Sequence, residues 1–128
     1  AASDVYKRQV VESAKIVAEN NAYDYRDWKT NKPEKYADFI RLCVLNDINI
    51  VMNKADYLIC LWDQNVMKGA GTHAEITLAF MEQKPVYLVN MLSSKDLSGW
   101  IMACSTKIFS NFSNLKKHLK RKYLNDGA

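Results

Sequence analysis

The chain has 128 residues, 48% hydrophobic and 25% charged, which is the balance of one globular domain with a real core and excludes a disordered or fibrous chain. No apolar run approaches the roughly 20 residues of a membrane helix and no secretory signal is visible, so no membrane partner is expected. The net charge of +4 is mild, and much of it sits in "KKHLKRKY" (116–123), the pattern of a solvated terminal helix face rather than of a nucleic-acid-binding chain.

The opening "AASDVYKRQ" reads in either of two ways: it resembles translated adaptor read-through, which would make residues 1–9 non-native, and it equally fits an ordinary helix start. From about Val5 to Asn20, Val10, Ala14, Val17 and Ala18 recur at helical spacing. "AYDYRDW" (22–28) alternates Tyr23 and Tyr25 with charged residues, as a short strand does. "TNKP" reads as a turn, with Pro33 in the first turn of a helix that carries Tyr36, Ile40, Cys43, Val44, Ile48 and Val51 as an apolar stripe to about Asn53. "YLICLW" (57–62) is a continuous apolar run, the signature of a strand buried on both faces. A polar, glycine-bearing loop follows, then a helix from about Thr72 to Gln83 and a second buried strand in "PVYLVN" (85–90). "SSKDLSGWIMAC" reads as loop with a helical turn, "TKIFS" as a short strand, and Phe112, Leu115, Leu119 and Tyr123 mark the last helix.

Alternating helices and strands predict an α/β fold: a doubly wound, Rossmann-like or flavodoxin-like parallel sheet in three α/β/α layers, as a single domain over 1–128. Such folds normally open with a central strand, whereas this chain opens with a helix, so a missing first strand is expected. Cys43, Cys60 and Cys104 are odd in number, far apart and set among apolar neighbours. They read as small buried hydrophobes in a reducing cytosol. With two histidines and no Cys/His cluster, no metal site is expected.

Ligands of open α/β sheets sit beyond the carboxyl ends of the strands, where "WDQNVMKGAGT" falls. Gly69 and Gly71 let a backbone approach a ligand, the next helix offers N–H groups to an anion, and Lys68 adds a charge. Thr72 and Glu75 also fit T-x-x-E, a capping box that needs no ligand. Asp47, four residues from both Cys43 and Val51, is placed on or beside the apolar stripe, and otherwise at its solvent edge. Asp63 ends the buried strand, either at the rim of a site or as a turn former. Trp62 and Trp100 offer stacking faces or core packing. His73 is expected to face solvent, and Asp27 and Trp28 to close the second strand.

The stretch "NDINIVMNKADYLICLWDQNVMKGAGTHAEITLAFMEQKPVYLV", roughly residues 47 to 90, resembles the core of the nucleoside 2-deoxyribosyltransferase-like family, which includes the 2'-deoxynucleoside 5'-phosphate N-hydrolases. Its "GAGTHAE" is also similar to the Lonely-guy type phosphoribohydrolases, of related fold. The resemblance implies that Glu75 is a nucleophile attacking the anomeric carbon and that Asp47 assists the leaving base or the sugar. Transferases of the family carry an acid six residues before that Glu, where this chain has Gly69 after Lys68. That exchange favours a 5'-phosphate, cradled by Lys68, Gly69, Ala70, Gly71 and Thr72, with Asp63 on a sugar hydroxyl and Trp62 near the base. The expected function is therefore N-glycosidic hydrolysis of a (deoxy)nucleoside 5'-monophosphate without cofactor. The alternatives are sugar transfer between bases and a nucleotide sensor without turnover. Apolar residues on the first and last helices agree with the homodimer that the resemblance suggests.

Overall fold

Helices and parallel strands alternate along residues 14–124, the part of the chain that the computed structural model describes. In chain order, helical residues 14–19 are followed by α1 (Tyr25–Asn31), α2 (Pro33–Asn49) and a π-helical turn (Ile50–Lys54). Then come β1 (Leu58–Trp62), α3 (Gln64–Met67), α4 (Gly71–Met81), β2 (Val86–Asn90), a 3₁₀ turn (Ser94–Asp96) and α5 (Gly99–Cys104). The series closes with β3 (Lys107–Phe109), α6 (Phe112–Leu119) and a second π-helical turn (Lys120–Leu124). Residues 1–9 and the start of the first expected helix lie outside the described residues. The described residues form two compact units, one ending at Ile50 and the other beginning at Val51.

The first unit is helical. Residues 22–28, expected as a strand, are instead the approach to α1 and its first half. Ala22, Tyr25 and Trp28 are spaced by three, so helical winding puts them on one side. Ala22 and Trp28 are buried with Phe39 of α2. The Trp28 ring stands edge-on to Phe39 with 6.2 Å between centroids, and Tyr25 lies 5.0 Å from the same ring. Tyr23, which suggested the alternation, points to solvent at 68% exposure. Burial of an aromatic trio thus outweighs a local two-residue pattern. Asp27 and Trp28 close no strand. Pro33 does occupy the first turn of α2, where its missing N–H costs nothing. The stripe on α2 holds for Tyr36, Ile40 and Cys43, which pack against that core, but Val44 and Ile48 are exposed.

The second unit is the expected Rossmann-like α/β/α fold. Its parallel sheet has the order β1-β2-β3, with Leu58 opposite Val86, Trp62 opposite Asn90, and Tyr87 opposite Lys107. Alternation in β2 decides which layer each residue joins. Val86 and Leu88 face one way, into a core with Cys60, Trp62, Ile76 and Ala79, and with Ile101 and Cys104 of α5. Tyr87 and Val89 face the other way, with Phe109 and Leu115. So α4 and α5 cover one face and α6 the other.

The central strand β2 is buried as expected, but β1 is not buried on both faces. Leu61 is 38% exposed, because α6 packs on β2 and β3, and β1 pairs only with β2 among the described residues. No helix of the described residues is long and apolar enough to cross a membrane.

Candidate functional site

The polypeptide leaves the carboxyl end of β1 at Trp62 and turns at once. Asp63, extended, caps the single turn α3, accepting a 2.9 Å hydrogen bond from the Val66 N–H on Oδ1. What was expected as loop is therefore partly helical, and the turn-forming reading of Asp63 is correct for one of its two oxygens. Lys68 ends this turn, exposed. Gly69 and Ala70, also exposed, lead directly into α4.

The start of α4 is two residues earlier than the capping-box register requires. Ala70 is the N-cap and supplies no side-chain bond. Thr72 is then the second helical residue and Glu75 the fifth, beyond the first turn, which contains no acid. A capping box needs Thr at the cap and Glu three residues on, so that reading does not hold. The first N–H groups of α4 have no intrahelical partner by helix geometry. A Cβ placed at Gly71 would meet nothing within 4 Å. The rim is open at the point where backbone donors converge.

Glu75 is half-buried. Burial first, and then the charge of Glu75, push the Cys60 thiol up to about 12, so the carboxylate is near enough to β1 to be felt there. Two residues back, His73 is not solvent-facing. Its ring stands edge-on to Trp62, 4.8 Å between centroids. Trp62 is 1% exposed, so it offers no stacking face. Its indole N–H and the His73 Nδ1 are both buried without a hydrogen-bond partner among the described residues. Such atoms each cost about 1–3 kcal/mol in a purely structural setting, and a polar group at the rim is what would relieve them.

Two residues not singled out beforehand frame this place. Thr77 donates to the His73 carbonyl at 2.9 Å and accepts from the Trp100 Nε1–H at 2.9 Å. Trp100 is thereby held over α4 with 66% of its surface exposed, and is the aromatic face available here. Asn90, ending β2, ties itself to the Leu92 backbone through both side-chain ends, at 3.1 Å each. Thr77 carries no sequence signal, and Asn90 carries only its place at a strand end.

The structure therefore gathers Trp62, Asp63, Lys68, Gly69, Ala70, Gly71, Thr72 and Glu75 at the carboxyl end of β1. Asp47 belongs to the first unit, exposed on α2. There it adds to burial in raising the Cys43 thiol. No group of His, Cys, Asp and Glu among the described residues has the arrangement of a metal site. Comparison with protein-family models, curated proteins and solved structures found no match.

Proposed function

We propose that the second unit carries the active site of an N-glycosidase acting on a (deoxy)nucleoside 5'-monophosphate, with Glu75 as nucleophile. The observation that carries this reading is the position of Glu75. It is a half-buried carboxylate outside the capping register, one turn below an open, glycine-bearing helix start. The quoted resemblance assigns the nucleophile to the same residue.

In this reaction a Glu75 oxygen attacks the anomeric carbon as the carbon–nitrogen bond breaks, and the bonding pair leaves with the base, which is protonated from solvent. Water then cleaves the glycosyl ester, releasing sugar phosphate and restoring the carboxylate. The N–H groups at the start of α4 and Lys68 take the 5'-phosphate, the free oxygen of Asp63 takes a sugar hydroxyl, and exposed Trp100 stacks on the base. Transfer to a second base needs only that a base replace water at the same ester. The role of Asp47 rests on the resemblance alone. A cytoplasmic location and a homodimer accompany this reading.

The test is release of free base from a panel of nucleosides and nucleoside 5'-monophosphates. Release from monophosphates alone, falling at least ~10³-fold in Glu75→Gln, is the expected result for loss of a nucleophile. Binding of monophosphates with no release from any substrate would sink catalysis and leave a sensor.

A further inference from the structure

The opposite end of the sheet carries a second concentration of charge. Lys107 is the first residue of β3 and lies opposite Tyr87, so it projects on the α6 face. α6 starts just after the carboxyl end of β3 and runs back along it, bringing His118, Arg121 and Lys122 to that same end. The four side chains line a cleft of about 440 Å³. Beneath it lie the buried rings of Tyr87 and Phe109. His118 lies 5.4 Å from both Tyr87 and Phe109, and the Lys107 Nζ is 5.6 Å from the Phe109 ring. Among the described residues no carboxylate is within ion-pair distance of any of the four.

We propose that this cleft binds the phosphate group of a small phosphorylated molecule, at a site separate from the Glu75 rim. Three permanent cations drawn from two elements into one concavity repel one another, and a dianion relieves all three at once. The molecule already registers that strain. Desolvation first, and then Lys107, Lys122 and Arg121, lower the His118 pKa. Of the groups facing this imidazole, Tyr87 from β2 and Phe109 from β3 are uncharged, and the lysines and arginine keep their charge through its titration. A bound dianion reverses the sign of the local field, so His118 takes up a proton and becomes a fourth donor. Lys107 of β3 stands beside the row that His118, Arg121 and Lys122 make along the helical run, so the four surround one depression of small-ligand size, which favours a compact phosphate over a nucleic-acid backbone.

The full chain has two histidines, His73 and His118, so imidazole carbon–proton NMR reads each end of the sheet separately. Titration with inorganic pyrophosphate at fixed ionic strength is expected to move the His118 signals saturably, with a Kd of about 1 mM or tighter. Lys107→Gln and Arg121→Gln are each expected to weaken that response by roughly tenfold. Sulfate remains a dianion throughout the imidazole range, so its affinity is expected to rise as pH falls through the His118 titration. A response at His73 reports the rim, so either site is able to fail without the other. An unmoved His118, or an unchanged response in the Lys107→Gln/Arg121→Gln double variant, overturns the proposal. So does a single-stranded oligonucleotide that engages these residues and is not displaced by pyrophosphate, which would assign the cleft to a nucleic-acid backbone.

Discussion

Lys84 is the side chain whose removal should be felt most relative to its modest place in the sequence. It sits half-buried just before β2 and donates from Nζ to the Val51 carbonyl at 2.5 Å and the Met52 carbonyl at 2.7 Å. Both acceptors belong to the π-helical turn before β1, so one ammonium ties together the approaches to two neighbouring strands. A hydrogen bond from a charged donor contributes about 1.5–3 kcal/mol net when shielded from water. The Val51 bond is shielded, whereas the Met52 bond is exposed and earns only a small fraction of that. Lys84→Met keeps most of the aliphatic stem and deletes both bonds, so about 2 kcal/mol of stability should be lost, or several degrees in Tm. Urea unfolding followed by far-ultraviolet circular dichroism measures the loss directly, with an unchanged slope marking a pure stability effect. A loss under about 0.5 kcal/mol, the scale of an ordinary surface substitution, would show that the ammonium is solvated and the turn is held by its own backbone.

Three further outcomes are expected. Asp63→Ala should cost about 1 kcal/mol through the lost cap on α3, whereas Asp63→Asn should cost much less, and equal costs would remove the capping account. Burial, and then the hydrogen bond with Tyr87 (2.7 Å between hydroxyls), push the Tyr123 hydroxyl up to about 12. An unfolded tyrosine ionises near pH 10. The folded state therefore holds this proton longer, and the resulting stabilisation is whole below about pH 10 and disappears as pH rises towards 12. The difference in phenolate absorbance between the parent chain and Tyr123→Phe should appear late in the titration, and ionisation of the missing tyrosine near pH 10 would refute it. Cys60 and Cys104 are buried and Cys43 only partly so, so an aromatic disulfide reagent should modify one thiol quickly and two only on unfolding. Mass mapping of the first adduct to Cys60 would contradict the packing.

Much of the second unit was legible because its signals are of the kind that burial enforces. "YLICLW" carries no amide or charged side chain and "PVYLVN" only the Asn90 that ends it, and both form strands in register with each other. The loop after β1 was placed correctly at the carboxyl rim, since strand direction alone settles that. The misreadings have physical causes. The helix over Tyr25–Asn31 was hidden because its partner, Phe39, is distant in sequence. The T-x-x-E motif fitted a capping box, yet α4 starts earlier at Gly71, and nothing local distinguishes the two registers. Trp62 was assigned to the rim by chain position, but its side chain turns inward beneath His73. Thr77 was invisible because its role depends on Trp100, 23 residues away.

The face of the sheet under α6 has a consequence for the order of events during synthesis. Tyr87 and Val89 are covered by Leu115 and Phe109, and the Tyr87 hydroxyl finds its partner in Tyr123, whose ring also stacks on Tyr57 at 4.7 Å. Leu115, Phe109 and Tyr123 are all translated after β2, and only Tyr57 of this cluster's rings precedes it. A ribosome that has just released β2 therefore exposes a wet aromatic and aliphatic surface, for as long as residues 107–123 take to be made and to clear the exit tunnel. At about 5–20 residues per second, that interval lasts on the order of seconds, long compared with helix formation. During it the second unit is a natural client for a nascent-chain chaperone, while the helical first unit, translated earlier and with its aromatic core complete by Cys43, is not.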